Sequence, residues 1–326
     1  MKRIVVKSGV AQLPLFVREN YSYYEAYLRG DEKLADLLKT KMKLLSIHMP
    51  SQVDTANGKK QLDFCADNEI GEASLKKLSE IVDFAEENNV FYIVIHLGFF
   101  NSLQENRFRK LEKAAKKFNQ FAARKVTLCL ENVPCWTNIC FENEPIISTE
   151  EHFLFFKKHC PNIGSVFDVD HLAINTVFNH FYEDFGKKYP AVVNKELYRK
   201  EMEQVIEQKT NENKLFFQDL VHKKIQQFLT AIQPDIVHAV GSDFCHYRMM
   251  GSLPLVGEAL PLHYQGQIKG YPVEDKLDHS LWMSLLPQKV LITLELMLRD
   301  DYDYLKMIKK DYEYVSSLIN LDKNKE

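Results

Sequence analysis

The chain has 326 residues, 45% of them hydrophobic, which is enough to form one large buried core. Its 42 basic and 45 acidic residues give a formal net charge of −3, so it lacks the global basic field of many nucleic-acid-binding proteins, although a local basic groove is compatible with this total. The six cysteines form no CxxC pair, and we find neither a signal-type N-terminus nor an apolar stretch of about 18 residues. We therefore expect a cytoplasmic protein without disulfides or membrane spans.

The predicted strands are short, continuously apolar runs that begin with RIVV near the N-terminus. Such runs indicate strands that are buried on both faces of a parallel sheet. Each later run ends at a histidine or a carboxylate. In chain order these residues are His48, His96, Glu131, Asp168 followed closely by His171, His238, His263 and Glu295. With RIVV the runs give about eight strands. Tyr21, Tyr23 and Tyr24 are interpreted as aromatic packing near the first helix, with stacking on a base or sugar as the alternative.

Amphipathic helices are predicted between the strands. Apolar residues recur at helical spacing in three stretches: Leu75, Leu78, Val82 and Ala85; Phe108, Leu111, Ala115 and Phe118; and Leu305, Ile308, Tyr312, Val315 and Ile319. Buried strands that alternate with one-faced helices are typical of parallel βα units. We therefore predict a single (β/α)8 TIM-barrel domain over residues 1–326.

One step between strand ends is too long for a simple βα repeat. Asp168 and His238 are 70 residues apart, so we predict an insertion at about 178–213, after the fifth strand of our count. This charged segment has a helical stretch of its own and is interpreted as a decorated loop, with a lid over the site as the alternative. A charged tail is predicted at about 321–326.

The strand-end residues predict a metal centre. In a parallel barrel the carboxyl ends of the strands meet at one face, where the active site forms. One such histidine is more often structural than a ligand, but eight histidines and carboxylates after seven apolar runs require a cation, because buried carboxylates are costly without one. Imidazole and carboxylate ligands without cysteine indicate an open, catalytic site for divalent ions. We expect Zn, with Mn and Fe as alternatives.

The motifs IHLG, LEN and FDVDH, in this order and at barrel spacing, resemble the xylose isomerase-like TIM-barrel superfamily. The resemblance is closest to its endonuclease IV branch (AP endonuclease family 2) and covers about residues 43–296. It implies that His48, His96 and Glu131 hold one metal. It also implies that Glu131 bridges to a second metal, which is bound by Asp168, His238 and Glu295.

The resemblance further implies a third metal, with His171 and His263 as ligands. The family pattern has an aspartate two residues before the last histidine, but this chain has Pro261 there, so only Glu258 or Asp243 could replace it. The stretch MPSQVDTANGKK also shows no clear match to the family's DNA-intercalating loop. A DNA substrate is therefore compatible with the sequence but not indicated by it.

Three enzymatic hypotheses follow from the resemblance. The leading one is phosphodiester hydrolysis at a multinuclear metal site, with Glu131, Glu295 and His171 as catalytic residues. The second is a sugar or sugar-phosphate isomerase or epimerase, which needs one metal on Glu131, Asp168, His238 and Glu295, with His171 contacting the sugar. The third is a multinuclear iron oxidative enzyme, since ENVP and DVDHLAINTVF resemble stretches of that branch. A binding scaffold that uses its metal only for stability is the non-enzymatic alternative.

Overall fold

The computed structural model describes residues 2–100, 104–135, 144–188, 195–246, 249–250 and 253–321. Eight parallel strands close into a barrel, in which each strand pairs with its neighbours in chain order and the last pairs with the first. The strands are β1 (Arg3–Ser8), β2 (Tyr23–Tyr27), β3 (Lys43–His48), β4 (Tyr92–Ile95), β5 (Thr127–Glu131), β6 (Gly164–Asp168), β7 (Ile236–Ala239) and β8 (Leu291–Leu294). The predicted TIM barrel is confirmed.

Helices surround the barrel in the part of the chain that the structure describes. They are α1 (Leu13–Arg18), α2 (Glu69–Glu87), α3 (Arg107–Phe118), α4 (Glu150–His159), α5 (Val169–Lys188), α6 (Lys195–Glu212), α7 (Lys214–Ile232), α8 (His279–Met283) and α9 (Tyr304–Leu321). The helix α2 illustrates how they form: the side chain of Asn68 caps its first turn by accepting from the amide of Ile70, and its buried face carries Leu78, Ile81 and Val82. None of the described helices is both long enough and apolar enough to cross a bilayer.

Short strands outside the barrel form small two-stranded sheets. The pairs are Gln52–Thr55 with Gly58–Gln61, Phe99–Phe100 with Glu144–Pro145, Met249–Met250 with Leu253–Leu255, and Gln265–Ile268 with Tyr271–Glu274. The three 3₁₀ segments described are Val10–Gln12, Leu34–Leu38 and Asn119–Phe121.

An apolar layer fills the barrel interior on the amino-terminal side of the strand ends. Seven of the strands contribute one buried residue each to this layer, namely Val5, Leu45, Val94, Cys129, Val166, Ile236 and Leu291. In the remaining strand, β2, Tyr23 packs against the layer. Since strand side chains alternate between the two faces, the residue two positions further along each strand also points inward. The alternation therefore determines which residues form the next layer, at the carboxyl ends of the strands.

A β-bulge adjusts this alternation in β3. Tyr24 of β2 pairs with Leu44, but the next residue, Glu25, pairs with Ser46, so that Leu45 is an extra residue in β3. The bulge lets this strand place Leu45 in the apolar layer and still direct Ser46 and His48 toward the mouth of the barrel.

Two details of the predicted strand order were wrong. Tyr23–Tyr27 is the second barrel strand, which we missed because Glu25 interrupts its apolar run. The run ALPLHYQG contributes no barrel strand, since Ala259 and His263 have φ values of 53° and 57°, which an extended strand does not allow.

Because β2 was missed in the count, the insertion at about 178–213 follows the sixth barrel strand and not the fifth. Where it is described, the insertion comprises the last part of α5 and the whole of α6, while its residues 189–194 lie outside the described residues. The predicted tail lies outside them from residue 322 onward.

Helix α9 contains a buried carboxyl group that links stability to pH. Asp311 is 3% exposed and accepts a hydrogen bond from the amide of Leu262, and burial raises its pKa to about 8. The pKa in the unfolded chain is about 4, so this group's contribution to stability is complete below pH 4 and is lost as the pH rises to 8.

We expect Asp311→Asn to reduce the loss of stability at alkaline pH, because the amide keeps the shape but does not ionise. Between pH 5.5 and 8.5, the melting temperature of the wild type should fall by on the order of 2–4 °C more than that of the variant. Glu313→Gln, on the exposed face of the same helix, is the control. Parallel pH curves for wild type and Asp311→Asn would contradict the assignment.

Candidate metal centre

Ionisable side chains form the layer above the apolar one. In five strands they follow the apolar-layer residue by two positions: Lys7 after Val5, His96 after Val94, Glu131 after Cys129, Asp168 after Val166, and His238 after Ile236. Glu25, His48 and Glu295 come from the remaining strands or from the residue directly after them. This placement follows from the alternation of the barrel strands, and it brings six of the predicted ligands together.

Glu131 lies at the centre of this layer and is fully buried. Its Oε2 atom is 3.0 Å from Nε2 of His48 and 3.0 Å from Nε2 of His96. Its Oε1 atom is 3.0 Å from Nδ1 of His238. One carboxylate thus uses its two oxygens to contact two different sets of side chains.

The second set is completed by Asp168 and Glu295. Nδ1 of His238 lies 3.6 Å from Oδ2 of Asp168 and 2.9 Å from Oε2 of Glu295. Two groups of potential ligand atoms result, each with all its atoms within 4.8 Å of one another, and Glu131 belongs to both: His48, His96 and Glu131; and Glu131, Asp168, His238 and Glu295. We call them the three-ligand group and the four-ligand group.

Contacts behind the ligands hold them in place. Nδ1 of His48 is 3.0 Å from the carbonyl oxygen of Met49, so Nε2 is the nitrogen that faces Glu131. The side chain of Asn132 joins β5 to β6, because it donates to the carbonyl oxygen of Asp168 at 2.8 Å and accepts from the amide of Asp168 at 2.8 Å. Such contacts fix the direction of metal ligands.

Glu25 is a site residue that we did not predict. It is fully buried, its Oε2 accepts from the hydroxyl groups of Ser46 at 2.8 Å and Thr293 at 3.3 Å, and its Oε1 lies 3.1 Å from Nε2 of His238. The last contact is close but not aligned as a hydrogen bond. A carboxylate on one ring nitrogen of histidine directs the other nitrogen toward a metal. Glu25 therefore orients His238 toward the four-ligand group.

Lys7 is the second site residue that we did not predict. Its Nζ atom is 2.6 Å from Oε1 of Glu295, and its side chain is only 9% exposed. Burial would lower the pKa of Lys7, but Glu295 and then Glu131 raise the pKa by more, so the amine remains charged. Both missed residues follow from the alternation of β1 and β2. Glu25 lies inside its strand and ends no apolar run, whereas Lys7 directly follows the run RIVV but is neither a histidine nor a carboxylate, the residue types expected of ligands.

The two groups differ in protonation before any metal is bound. Burial would lower the pKa of His238, but Glu131 and Glu25 raise it well above its ordinary value. The pKa of His48 is lowered, first by burial and then by Lys7, so its ring is neutral. Since metals bind neutral imidazole, a metal at the four-ligand group would compete with the proton that Glu131 and Glu25 favour on His238.

The chemistry of the donors fits a divalent metal. Burial would raise the pKa of Glu131, but His238 and His96 lower it well below its ordinary value, so the carboxylate is charged. Oε2 of Glu295 is buried without an aligned hydrogen bond and faces the four-ligand group. Unsatisfied carboxylate oxygens beside imidazole nitrogens are the ligands that Zn, Mn and Fe accept. The site is open at two edges, where the side chains of His96 and Glu295 are 34% and 24% exposed.

The predicted third-metal pair is not assembled. His171 lies at the four-ligand group, with Nδ1 3.5 Å from Oε1 of Glu131 and 2.8 Å from the carbonyl oxygen of Asn132. His263 is exposed and packs elsewhere, with its ring centroid 4.4 Å from that of Tyr314 and 5.3 Å from that of His279. The left-handed backbone at His263 places it on α8 and α9 and away from the barrel mouth.

The two residues that could replace the missing aspartate have different surroundings. Glu258 is buried, and its Oε1 is 3.8 Å from Nε2 of His171. Asp243 pairs with Lys276, and its Oδ2 lies 2.7 Å from Nδ1 of His246, so its charge is already neutralised away from the metal groups. Of the two, only Glu258 lies at the mouth of the barrel beside His171.

Comparisons with known proteins agree with the fold. No protein-family model matches the chain, and no curated protein matches it significantly. Among solved structures it resembles a D-tagatose 3-epimerase-like protein, with a TM-score of 0.56 and 13% identity over 98% of this chain and 99% of the other. It also resembles an L-ribulose 3-epimerase, with a TM-score of 0.57 and 13% identity over 100% of this chain and 97% of the other. A third similar structure is endonuclease IV from Thermus thermophilus, with a TM-score of 0.51 and 12% identity over 98% of this chain and 99% of the other. The predicted resemblance to xylose isomerase-like TIM barrels is therefore confirmed at the level of the fold.

The position of Glu131 between the two groups leads to a first prediction for the site. We expect Glu131→Gln to lose metal from both groups, because the amide keeps the volume but removes the charge that both groups share. Metal content after equilibration with zinc should fall to well below one ion per chain, while the far-UV circular dichroism of the barrel should not change. Wild-type metal content in this variant would refute the role of Glu131.

The contact between Glu25 and His238 leads to a second prediction. Loss of such a supporting carboxylate typically weakens metal binding by about 10- to 100-fold, and we expect this effect for Glu25→Gln in competition with a chelator. Glu80→Gln, on the exposed side of α2, is the control and should bind metal as the wild type does. If the two variants bind metal equally well, Glu25 has only a structural role.

Proposed function

We propose that the protein is a metal-dependent enzyme that hydrolyses phosphodiester bonds at a two-metal centre. The observation that supports this is the arrangement around Glu131, whose Oε2 contacts His48 and His96 while its Oε1 contacts His238. A carboxylate that serves two groups of ligands suits a pair of ions. An isomerase that works with one ion has no need of the three-ligand group.

In this proposal His48, His96 and Glu131 hold one ion, and the four-ligand group holds the other. Two adjacent divalent ions supply Lewis acidity and an activated water for displacement at phosphorus. Zinc is the metal we propose, because mixed imidazole and carboxylate ligands at an open site favour it. Since His263 is not at the site, two ions are proposed in place of three.

The role proposed for His171 is contact with the substrate. Its Nδ1 is engaged by the carbonyl oxygen of Asn132, which leaves Nε2 for the open side of the site. Among the described residues, Nε2 forms an ion-pair contact with Oε1 of Glu258 at 3.8 Å, which is too long for a hydrogen bond. This nitrogen is therefore available to exchange a proton with a substrate oxygen. Asp170 supports the arrangement by accepting from the amide of Ala259, beside Glu258.

Sugar isomerisation or epimerisation is the second candidate. The observation that favours it is that Glu131, Asp168, His238 and Glu295 form a complete set of four ligands without the three-ligand group. Five of the solved structures that the chain resembles also carry epimerase names. In that case Glu131 and Glu295 would act on opposite faces of an enediolate, where one carboxylate takes a proton from a sugar carbon and the other returns a proton. An iron oxidative enzyme would use the same ligands, and metal analysis of the purified protein separates it from both.

His96→Ala distinguishes the two main candidates. If the proposal is right, the variant should bind one zinc ion where the wild type binds two, and turnover of a bis-(p-nitrophenyl) phosphate test substrate should fall by about 100-fold or more. His159→Ala, on the outer helix α4, is the matched control and should retain both metals and turnover. If His96→Ala keeps one metal and epimerises a ketose as fast as the wild type, the epimerase candidate should replace ours.

A further inference from the structure

Lys7 occupies a position that its pairing with Glu295 does not fully explain. Its side chain is 9% exposed, and burying an amine is costly unless its charge and its hydrogen-bond donors are satisfied. An ammonium group has three donors. Among the described residues, the one ion-pair or hydrogen-bond partner of Nζ is Oε1 of Glu295, so two donors lack a protein acceptor.

The surroundings of Lys7 place its amine beside both groups of ligands. Nζ is 5.5 Å from the centroid of the Tyr27 ring, and the Tyr27 ring is 5.4 Å from the ring of His48. Lys7 therefore stands at the mouth of the barrel between Glu295 of the four-ligand group and His48 of the three-ligand group. Glu295 also presents different oxygens to its two neighbours, since Oε1 contacts Lys7 while Oε2 lies 2.9 Å from Nδ1 of His238.

We propose that Lys7 binds substrate directly, by donating charge-assisted hydrogen bonds to a non-bridging oxygen of a phosphate group. This inference rests on the proposed hydrolase function and specifies its substrate as anionic at the reacting group. A compact ammonium suits this role, because it binds phosphate as a point charge and Glu295 fixes its position. The Tyr27 ring lies beneath Nζ, in a position for a cation–π contact.

The test measures binding of inorganic phosphate by calorimetry to the zinc-loaded full-length protein, so it does not depend on turnover. Lys7→Met should weaken phosphate binding at least 10-fold, and Lys7→Arg should restore it to within about threefold of the wild type. Lys43→Met is the matched control, because Nζ of Lys43 lies 5.3 Å from the Phe91 ring at the opposite end of the barrel. It should bind phosphate as the wild type does.

Zinc content and melting temperature are measured for every variant, and Lys7→Arg provides a charged variant if Lys7→Met does not fold. Wild-type phosphate affinity in Lys7→Met would overturn the proposal. So would a loss of phosphate binding that matches a loss of zinc, because Lys7 would then act only through Glu295. A wild type that holds two zinc ions but does not bind phosphate would also refute it. Phosphate binding that depends on Lys7, without cleavage of any phosphodiester, would support the inference and contradict the hydrolase.

Discussion

The structure depends on the neutralisation of carboxylates inside the barrel. Glu25, Glu131 and Asp168 are almost fully buried, and Glu295 has one buried oxygen without an aligned partner. Buried carboxylates are unstable unless cations surround them. Lys7 and His238 supply part of the required positive charge, and a divalent metal at the proposed site would supply the rest. The histidines, the lysine and the open ligand positions are thus parts of one electrostatic arrangement around Glu131.

Much of this arrangement could be predicted from the sequence because two simple rules coincide. Apolar runs mark strands that are buried on both faces, and the carboxyl ends of parallel strands converge. Residues that terminate such runs, such as His96 and Asp168, must therefore approach one another. The assignment of metals to these residues stays a prediction, but their proximity follows from the fold alone.

The parts that could not be predicted involve residues whose position or type hides their place in the barrel. Glu25 lies inside a strand and breaks the apolar run that would have revealed the strand. Lys7 does follow an apolar run, but a lysine is not a typical metal ligand and resembles a surface residue until the pairing of β1 with β2 and β8 is known. His263 follows an apolar run, but the run bends through left-handed conformations and belongs to a loop. Hydrophobicity does not distinguish such a loop from a strand, because both bury the same side chains.

The bulge at Leu45 separates two tasks within β3. Without the extra residue, Leu44 would lead directly to Ser46, their pairing with Tyr24 and Glu25 would be regular, and Ser46 and His48 would still point into the barrel. Only the apolar layer would lose a member, Leu45. A change of one codon at this position would thus alter how the barrel interior is filled while the ligand positions at the mouth stayed the same, so the two can vary separately.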